Sequence, residues 1–451
     1  MYDLVVVGHG AAGLSAAIAA AEIAKDSCIL VLEHLSEQDG GGNTKWSPAN
    51  TRMKSVDEMP AGFERDMMAT TGGRGDPAYF ARLTREAPDT MRWLEKQGVK
   101  FESLDYLLSA EHKRIHPVGG GAAIVQSLSS QAKRLGVSIL YDARAVRLYL
   151  GQEAHGVELA DGRRFEARSI VLASGGFEGS PALLREHFGP RGETLRPISP
   201  GSGSNAGDGI RMAIEAGASM SGDWSGMHSE PVDPRSDRAA ALILIYPYGI
   251  VVDTQGNRFF DEGAGLVHDT WERFSRAVHF DTPDSSGWIV SDARLWDLPG
   301  TRNAIRTDAP PIQAPTLSEL AKAMNVDPKA FAYTVDKYNA ACGNDLSGFD
   351  PGRLDGLATA DGLFPRKSNW ARPLEKPPFV AFPVVCGIVY TFGGIATDAD
   401  ARVIGQNGPI ERLFAAGEMT GHFYGTAPNS VAVMRSLVFG RIAGQGAAAH
   451  F

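Results

Sequence analysis

The chain has 451 residues and a formal net charge of −9, a size at which two folding units are expected and a charge balance that argues against a nucleic-acid partner. Its 52 glycines exceed the roughly 7% of an average protein and imply many sharp turns or close approaches to a ligand. No stretch is apolar for long enough to span a bilayer, residues 1–7 read as a strand rather than a signal peptide, and Cys28, Cys342 and Cys386, without metal-ligand spacing, read as buried thiols of a cytoplasmic protein.

In chain order, "YDLVVVG" is a short apolar run ending in glycine, as a buried parallel strand requires. "AAGLSAAIAAAEIAK" follows at helical spacing, and "CILVLEH" is a second strand, which together make a right-handed βαβ unit. "AAIVQSLSSQAKRLGV" predicts a helix, "SILYDARAVRLYL" strand material, and "SIVLASGGF" another buried strand ending in glycines. "NAGDGIRMAIEAGA" predicts a capped helix. From about 228 to 384 the texture changes to a hairpin-like "ILIYPYGIVVDTQGNRFFDEG", the helices "TLSELAKAM" and "PKAFAYTVDKYNAAC", and a proline-rich return. The last 40 residues resume the opening pattern, with "RLFAAGE" as a strand and "SVAVMRSLVFGRIAGQGAAAH" as a long helix. The expectation is an α/β protein in which residues 1–227 and 385–451 form one domain and residues 228–384 a second domain inserted into it.

"GHGAAG" places Gly8, Gly10 and Gly13 between the first strand and its helix, with Glu33 at the end of the next strand. In this setting Gly8 permits the tight turn, Gly10 lets a pyrophosphate approach the backbone, and Gly13 brings helix against strand. The helix N-terminus presents N–H groups to phosphates, and Glu33 can accept ribose hydroxyls. This turn suits NAD or FAD equally. Three distant pieces favour FAD: a second glycine loop "GGGNTKWS", the strand end "LFAAGEMTG" with Gly417 and Glu418, and "VLASGGF" closing the middle strand. A single GxGxxG gives no sign of a separate NAD(P)H domain.

These pieces, with "GDGIRMAIEAGA", "GNRFFDE", "TVDKYNAAC" and "FGRIAG", resemble the FAD-dependent fumarate reductase, succinate dehydrogenase and 3-ketosteroid dehydrogenase flavoproteins over essentially the whole chain. "GDWSGMH", "YPYGIVVDTQGNRFFDEG" and "RFSRAV" bring it closest to the tricarballylate dehydrogenase branch. The resemblance implies a Rossmann-like FAD-binding domain of the glutathione-reductase type carrying an α+β capping domain. It implies that Gly8, Gly10, Ala11, Ala12 and Gly13 cradle the pyrophosphate, that Glu33 and His34 meet the adenosine ribose, and that Ala145 touches adenine through its backbone. Gly41, Gly42, Asn43 and Thr44 would approach the ribityl and ring side. Ala173, Ser174 and Gly175 would line the phosphate region, with Asn205 and Asp208 nearby. Gly417 and Glu418 would meet the ribityl chain, and Ser430 and Val431, opening the last helix, would aim N–H groups at the pyrimidine edge of the flavin. Non-covalent FAD is expected, because "NTKWSPAN" lacks the histidine that succinate dehydrogenases use for attachment. No metal is expected.

Oxidising a CH–CH pair beside a carbonyl requires hydride departure to flavin N5, a base for the neighbouring proton, and donors that steady the carbonyl. Reduction reverses these steps. By resemblance, the arginine that donates the proton in fumarate reductases is Leu266 here, the histidine before "T-x-GG" is Tyr390, and the arginine before the final glycine loop is Ala427. Simple fumarate reduction is therefore not the expectation. His228, Tyr390, Arg276 and Arg435 are the catalytic candidates, Tyr390 acting as acid or base if a neighbour lowers its pKa. Arg52 is a further carboxylate anchor, Tyr246 and Tyr248 are candidate pocket walls, and Arg258 reads as structural. His268 and Asp269 could handle protons but read as surface residues. The expected activity is dehydrogenation of a CH–CH bond next to a carboxylate or ketone, with a tricarballylate-like polycarboxylate as the nearest substrate. The alternatives are an ene-reductase for an activated C=C bond, or a flavoprotein electron-transfer subunit. The small-molecule substrate would exchange electrons with a redox protein, quinone or oxygen.

Overall fold

The computed structural model describes residues 1–104 and 114–451. Strand β1 (Tyr2–Val7) is the apolar run at the start of the chain. Leu4, Val5 and Val6 have no exposed surface and Val7 almost none, as a strand covered on both faces requires. Gly8, at φ +113°, carries the chain into α1 (Ala11–Ile23), and β2 (Ile29–Leu32) returns parallel to β1. Helices α2 (Gly42–Trp46) and α3 (Gly120–Arg134) follow, then β3 (Ser138–Leu140), parallel to β2. Strands β4 (Ala145–Tyr149), β5 (His155–Leu159) and β6 (Arg164–Leu172) form an antiparallel meander. Its last strand lies parallel to β1 on the side away from β2.

A second sheet begins with β7 (Arg196–Pro197), which helix α4 (Asp208–Glu215) follows. It contains β8 (Met227–Val232), β9 (Ile250–Val252), β10 (Ser286–Ser291), β11 (Ile312–Ala314) and the long β12 (Phe379–Thr391). Helix α5 (Val267–Phe280) packs on β8 and β12. The order is β8–β12–β10–β9, with β7 and β11 also paired to β12. The chain then rejoins the first sheet through β13 (Arg402–Gly405) and β14 (Gly408–Ala415), the latter parallel to β6, and ends in α6 (Ala432–Ala448). Among the described residues the first sheet thus reads β13–β14–β6–β1–β2–β3, with β5 attached to β6 and β4 to β5.

The two ends of the chain meet where α1 packs on α6. A Cβ on Gly440 would sit 2.3 Å from the Ala12 carbonyl oxygen, and one on Gly444 2.0 Å from that of Ala16. Small residues four apart on both helices bring the backbones to near contact.

Two expectations need correction, and the expected domain boundary meets a continuous strand. The stretch 243–263 is not a hairpin: Pro247 lies in a single 3-10 turn, Tyr246–Tyr248, and β9 beyond it pairs with β10 instead. Within the stretch only an isolated bridge, Val252 to Arg258, is formed. Cys28 is exposed and Cys342 half-buried, so only Cys386 is a buried thiol. The division drawn between 384 and 385 falls inside the continuous strand β12. No helix among the described residues is long and apolar enough to cross a membrane.

Candidate functional site

An elongated cavity opens where β1, β2, β6 and β14 end, the position at which open α/β sheets take ligands. Val7 and Gly8, Leu32 and Glu33, Ala173 to Gly175, and Gly417 and Glu418 all line it. The glycines of the first turn divide their work. A Cβ on Gly8 would lie 2.2 Å from the Ala173 carbonyl oxygen and one on Gly13 1.9 Å from that of Gly8, so both allow backbone to cross backbone. A Cβ on Gly10 would meet nothing closer than 3.8 Å, and Gly10 lines the cavity with Ala11 and Ala12. Gly13 itself is outside the lining, beneath the turn, and acts through packing.

Glu33 and His34 line the cavity beside His9. The Glu33 carboxylate accepts the His9 amide at 3.2 Å and the Leu35 amide at 2.9 Å, with the His34 Nδ1 at 3.1 Å. Burial would raise its pKa, but these partners outweigh it and hold the group below the ordinary value, so Glu33 is an ionised acceptor. The second glycine loop contributes Gly42, Asn43 and Thr44, and Thr44 Oγ1 accepts the Ala11 amide at 3.3 Å. Gly41, at φ +119°, lies behind them against Val125 and Lys45. Ala145, Asn205 and Asp208 complete this part, Asp208 being paired with Arg144 at 2.7 Å.

At the start of α6, Ser430, Ala432 and Val433 line the cavity, while Val431 is fully buried as the N-cap. Ser430 is in left-handed conformation at φ +60°. It is pinned there by Arg114 Nε donating to its hydroxyl and the Arg52 amide donating to its carbonyl, both at 2.9 Å. Two helix N-termini, an ionised carboxylate and an unobstructed glycine thus converge on one elongated space. This donor and acceptor set fits a dinucleotide with a central diphosphate.

The second sheet supplies the other wall. His228 on β8 is in register with Tyr390 on β12, their rings 5.0 Å apart, and both line the cavity. His228 Nδ1 lies 2.7 Å from Glu272 Oε2 and Nε2 3.5 Å from Glu230 Oε1. Burial would lower its pKa, but the two carboxylates outweigh burial and hold it at about 9, so the imidazole is charged at neutral pH. Tyr390 departs from expectation: burial, reinforced by Glu272, raises its pKa. It stays a neutral phenol, and its hydroxyl makes no hydrogen bond to protein among the described residues.

Other candidates are placed differently. Arg435 lines the cavity but is 1% exposed, donates to the Thr420 carbonyl at 3.1 Å and lies over the Phe423 ring. Arg276 is outside the cavity, its guanidinium set against the rings of Phe188 and Phe280. Arg52 is committed to Asp66 at 2.9 Å, and Arg258 to Glu262 at 2.6 Å in the interior. Tyr246 and Tyr248 are not pocket walls: their hydroxyls bond to Thr270 and to the Pro351 carbonyl in the apolar core of the second sheet. His268 is buried rather than at the surface. Burial, with Arg114 and Arg306, lowers its pKa to about 2. Asp269 is exposed.

Sequence reading missed Glu230, Glu272, Arg306, Trp46 and Trp271. Glu230 follows His228 by two along one strand and was available to a local pattern. Glu272 is 44 positions away on α5 and had no local signal. Arg306 lines the cavity next to Leu242, whose carbonyl accepts its amide at 2.8 Å. It has no carboxylate partner among the described residues.

The family model described as FAD binding domain matches residues 3–430. A probable fumarate reductase of Shewanella frigidimarina is 29% identical over 99% of the chain and 75% of its own length. The 4-oxocyclohexanecarboxylate 2-dehydrogenase of Sinomonas cyclohexanicum is 29% identical over 98% of the chain and 92% of its own length. Among solved structures, the open form of a flavocytochrome c3 fumarate reductase superposes with a TM-score of 0.81 at 27% identity, covering 100% of this chain and 78% of that one.

Proposed function

The chain belongs to the FAD binding domain family and is an FAD-dependent oxidoreductase, and from that premise we propose that it reduces a C=C bond conjugated to a single carboxylate or a ketone. The observation that carries this reading is His228, charged between Glu230 and Glu272 and set beside the unengaged hydroxyl of Tyr390. FAD held non-covalently in the cavity and reduced by an external electron donor would supply the hydride for the β-carbon. Gly10, Ala11, Ala12, Glu33, Thr44, Asn205, Glu418 and the first turn of α6 are the residues that would hold it.

The chain's own residues then have separable tasks. His228 gives its proton to the α-carbon, so that the double bond gains one hydride and one proton and becomes CH–CH. Tyr390 donates a hydrogen bond to the substrate carbonyl or carboxylate oxygen, where negative charge gathers. Arg306 anchors the carboxylate, and Trp46, Trp271 and Leu242 offer an apolar wall to the substrate body. A histidine already protonated at neutral pH favours reduction. The dehydrogenase direction, which needs a free base, comes second. A tricarboxylate fits poorly, since Arg276 lies elsewhere, Arg435 and Arg144 are engaged, and Glu230 adds negative charge. We assign cofactor binding to residues 1–227 and 385–451 and substrate capping to 228–384, with β12 shared between them.

The test is anaerobic single turnover of dithionite-bleached holoprotein. Return of the yellow colour with cinnamate or cyclohexene-1-carboxylate, faster than with fumarate, supports the reading. Recovery with fumarate alone, or with none of the three, defeats it.

A further inference from the structure

Below the cavity, a pair of carboxyl groups has no assigned task. Glu178 follows the "ASGGF" strand end, is 0% exposed, and accepts the Asn205 side-chain amide on Oε1 at 2.7 Å. Its Oε2 is buried without a hydrogen-bond partner among the described residues. Glu418, which lines the cavity, takes the same Asn205 amide on Oε2 at 3.5 Å and the Thr391 amide on Oε1 at 3.1 Å. The two carboxyls converge: a Cβ on Gly176 would come 2.1 Å from Glu418 Oε1 and 2.8 Å from Glu178 Oε2. One amide therefore serves two acids, and neither has a salt-bridge partner among the described residues. The groups facing them are Arg435 from α6 and the neutral phenol of Tyr390 from β12.

Two adjacent negative charges in such a place are costly, and a shared proton removes the cost. We infer that Glu178 is a positioning residue for the cofactor: it holds one proton jointly with Glu418, and that proton lets Glu418 face FAD as part of a singly rather than doubly charged pair. Burial raises both groups above the ordinary carboxylate range, Glu178 the further, in keeping with this arrangement. Glu418 keeps its remaining exposure toward the cavity. Filling the cavity removes that solvent and tightens the hold on the proton. FAD affinity must then fall as pH rises, by up to about tenfold per pH unit while the unliganded pair is ionising.

The inference rests on FAD occupying this cavity, and the experiment separates the two. Apoprotein is titrated with FAD by flavin fluorescence at pH 6, 7, 8 and 9. Wild-type Kd should rise by at least about tenfold over that span, whereas Glu178→Gln, neutral throughout, should bind with a nearly flat profile. His228 titrates in both proteins, so the difference in slope belongs to the pair. If Glu178→Gln fails to fold, the wild-type slope stands with a second readout. The holoprotein at pH 8 should show an infrared band of a protonated buried carboxyl whose frequency shifts in Glu418→Gln, where the carboxyl partner is replaced. A pH-independent wild-type Kd, an unchanged slope in Glu178→Gln, or no such band or shift overturns the inference. No FAD binding at any pH overturns the reading of the cavity itself, and the inference with it.

Discussion

His228 and Tyr390 sit opposite each other on neighbouring strands, and the same carboxylates act on both. Negative charge from Glu272 and Glu230 favours the protonated form of each ring, which makes the histidine a cation and the tyrosine a phenol. For turnover, the reductive rate should be flat up to about pH 9 and fall above it as His228 loses its proton. Glu272→Gln removes one of the charges that hold the proton and should move this alkaline limb to lower pH. His228→Gln should lower the single-turnover rate by roughly 10²–10⁴-fold, the usual contribution of a positioned acid. Tyr390→Phe should cost about tenfold, the loss of one hydrogen bond to a charged oxygen. Stability follows the same titration. The folded pKa of about 9 exceeds the ordinary value near 6.5, so the contribution of the ion pair is complete below about pH 6.5 and is lost as pH climbs through about 9. Melting temperatures from pH 6 to 10 should decline over that window in the wild type and much less in His228→Gln.

Among the elements, the pairing of α1 with α6 decides whether the chain ends can meet. Ala16 and Gly444 approach so closely that a methyl group on Gly444 would overlap the Ala16 carbonyl, 2.0 Å away. Backbone cannot yield as a flexible side chain can. Gly444→Ala should therefore destabilise by about 1–3 kcal/mol, whereas Gly343→Ala, with nothing within 4 Å, should leave urea unfolding unchanged. This helix pair also marks how far sequence reading reaches. The strands β1, β2, β3, β4, β14 and the end of β6, with α1, α6 and the residues of the glycine turn, were legible because local periodicity and glycine spacing carry them, whereas β5 and β13 were not read. Pro247 broke a stretch whose apolar pattern alone suggested a hairpin. Glu272 and Arg306 were not legible, because Glu272 meets His228 through the packing of α5 on β8 and Arg306 reaches the cavity through its contact with Leu242, and no local pattern records either. Arg276 shows the converse: its motif resembles a functional one, yet its helical face turns it toward two phenylalanines.

The whole molecule is a cavity closed by both ends of its chain, with residues 7–12 and Asn429, Ser430, Ala432, Val433, Arg435 and Ser436 on its walls. A ligand there is held by the folded state alone, so FAD at a hundredfold excess over its Kd should add about 2.7 kcal/mol to stability. The two glycines of the first turn allow this gain to be separated from folding. Gly8 is at φ +113° with the Ala173 carbonyl 2.2 Å from its missing Cβ, so Gly8→Ala strains the backbone and forces β1 from β6; the apoprotein should melt earlier. Gly10 is in extended conformation at φ −78°, and a Cβ there would make only ordinary contacts, 3.8 Å from the Gly41 carbonyl oxygen and Thr44 Oγ1. In Gly10→Val the added side chain enters the cavity and meets the second glycine loop only at ordinary contact distance, so the apoprotein should melt close to the wild type. Its valine occupies the route by which a diphosphate would approach the α1 amides, so added FAD should raise its melting temperature little or not at all. Differential scanning fluorimetry of the two variants and the wild type, with and without FAD, checks this. A Gly10→Val protein that still gained the full wild-type shift would mean that the cofactor's diphosphate lies away from this turn.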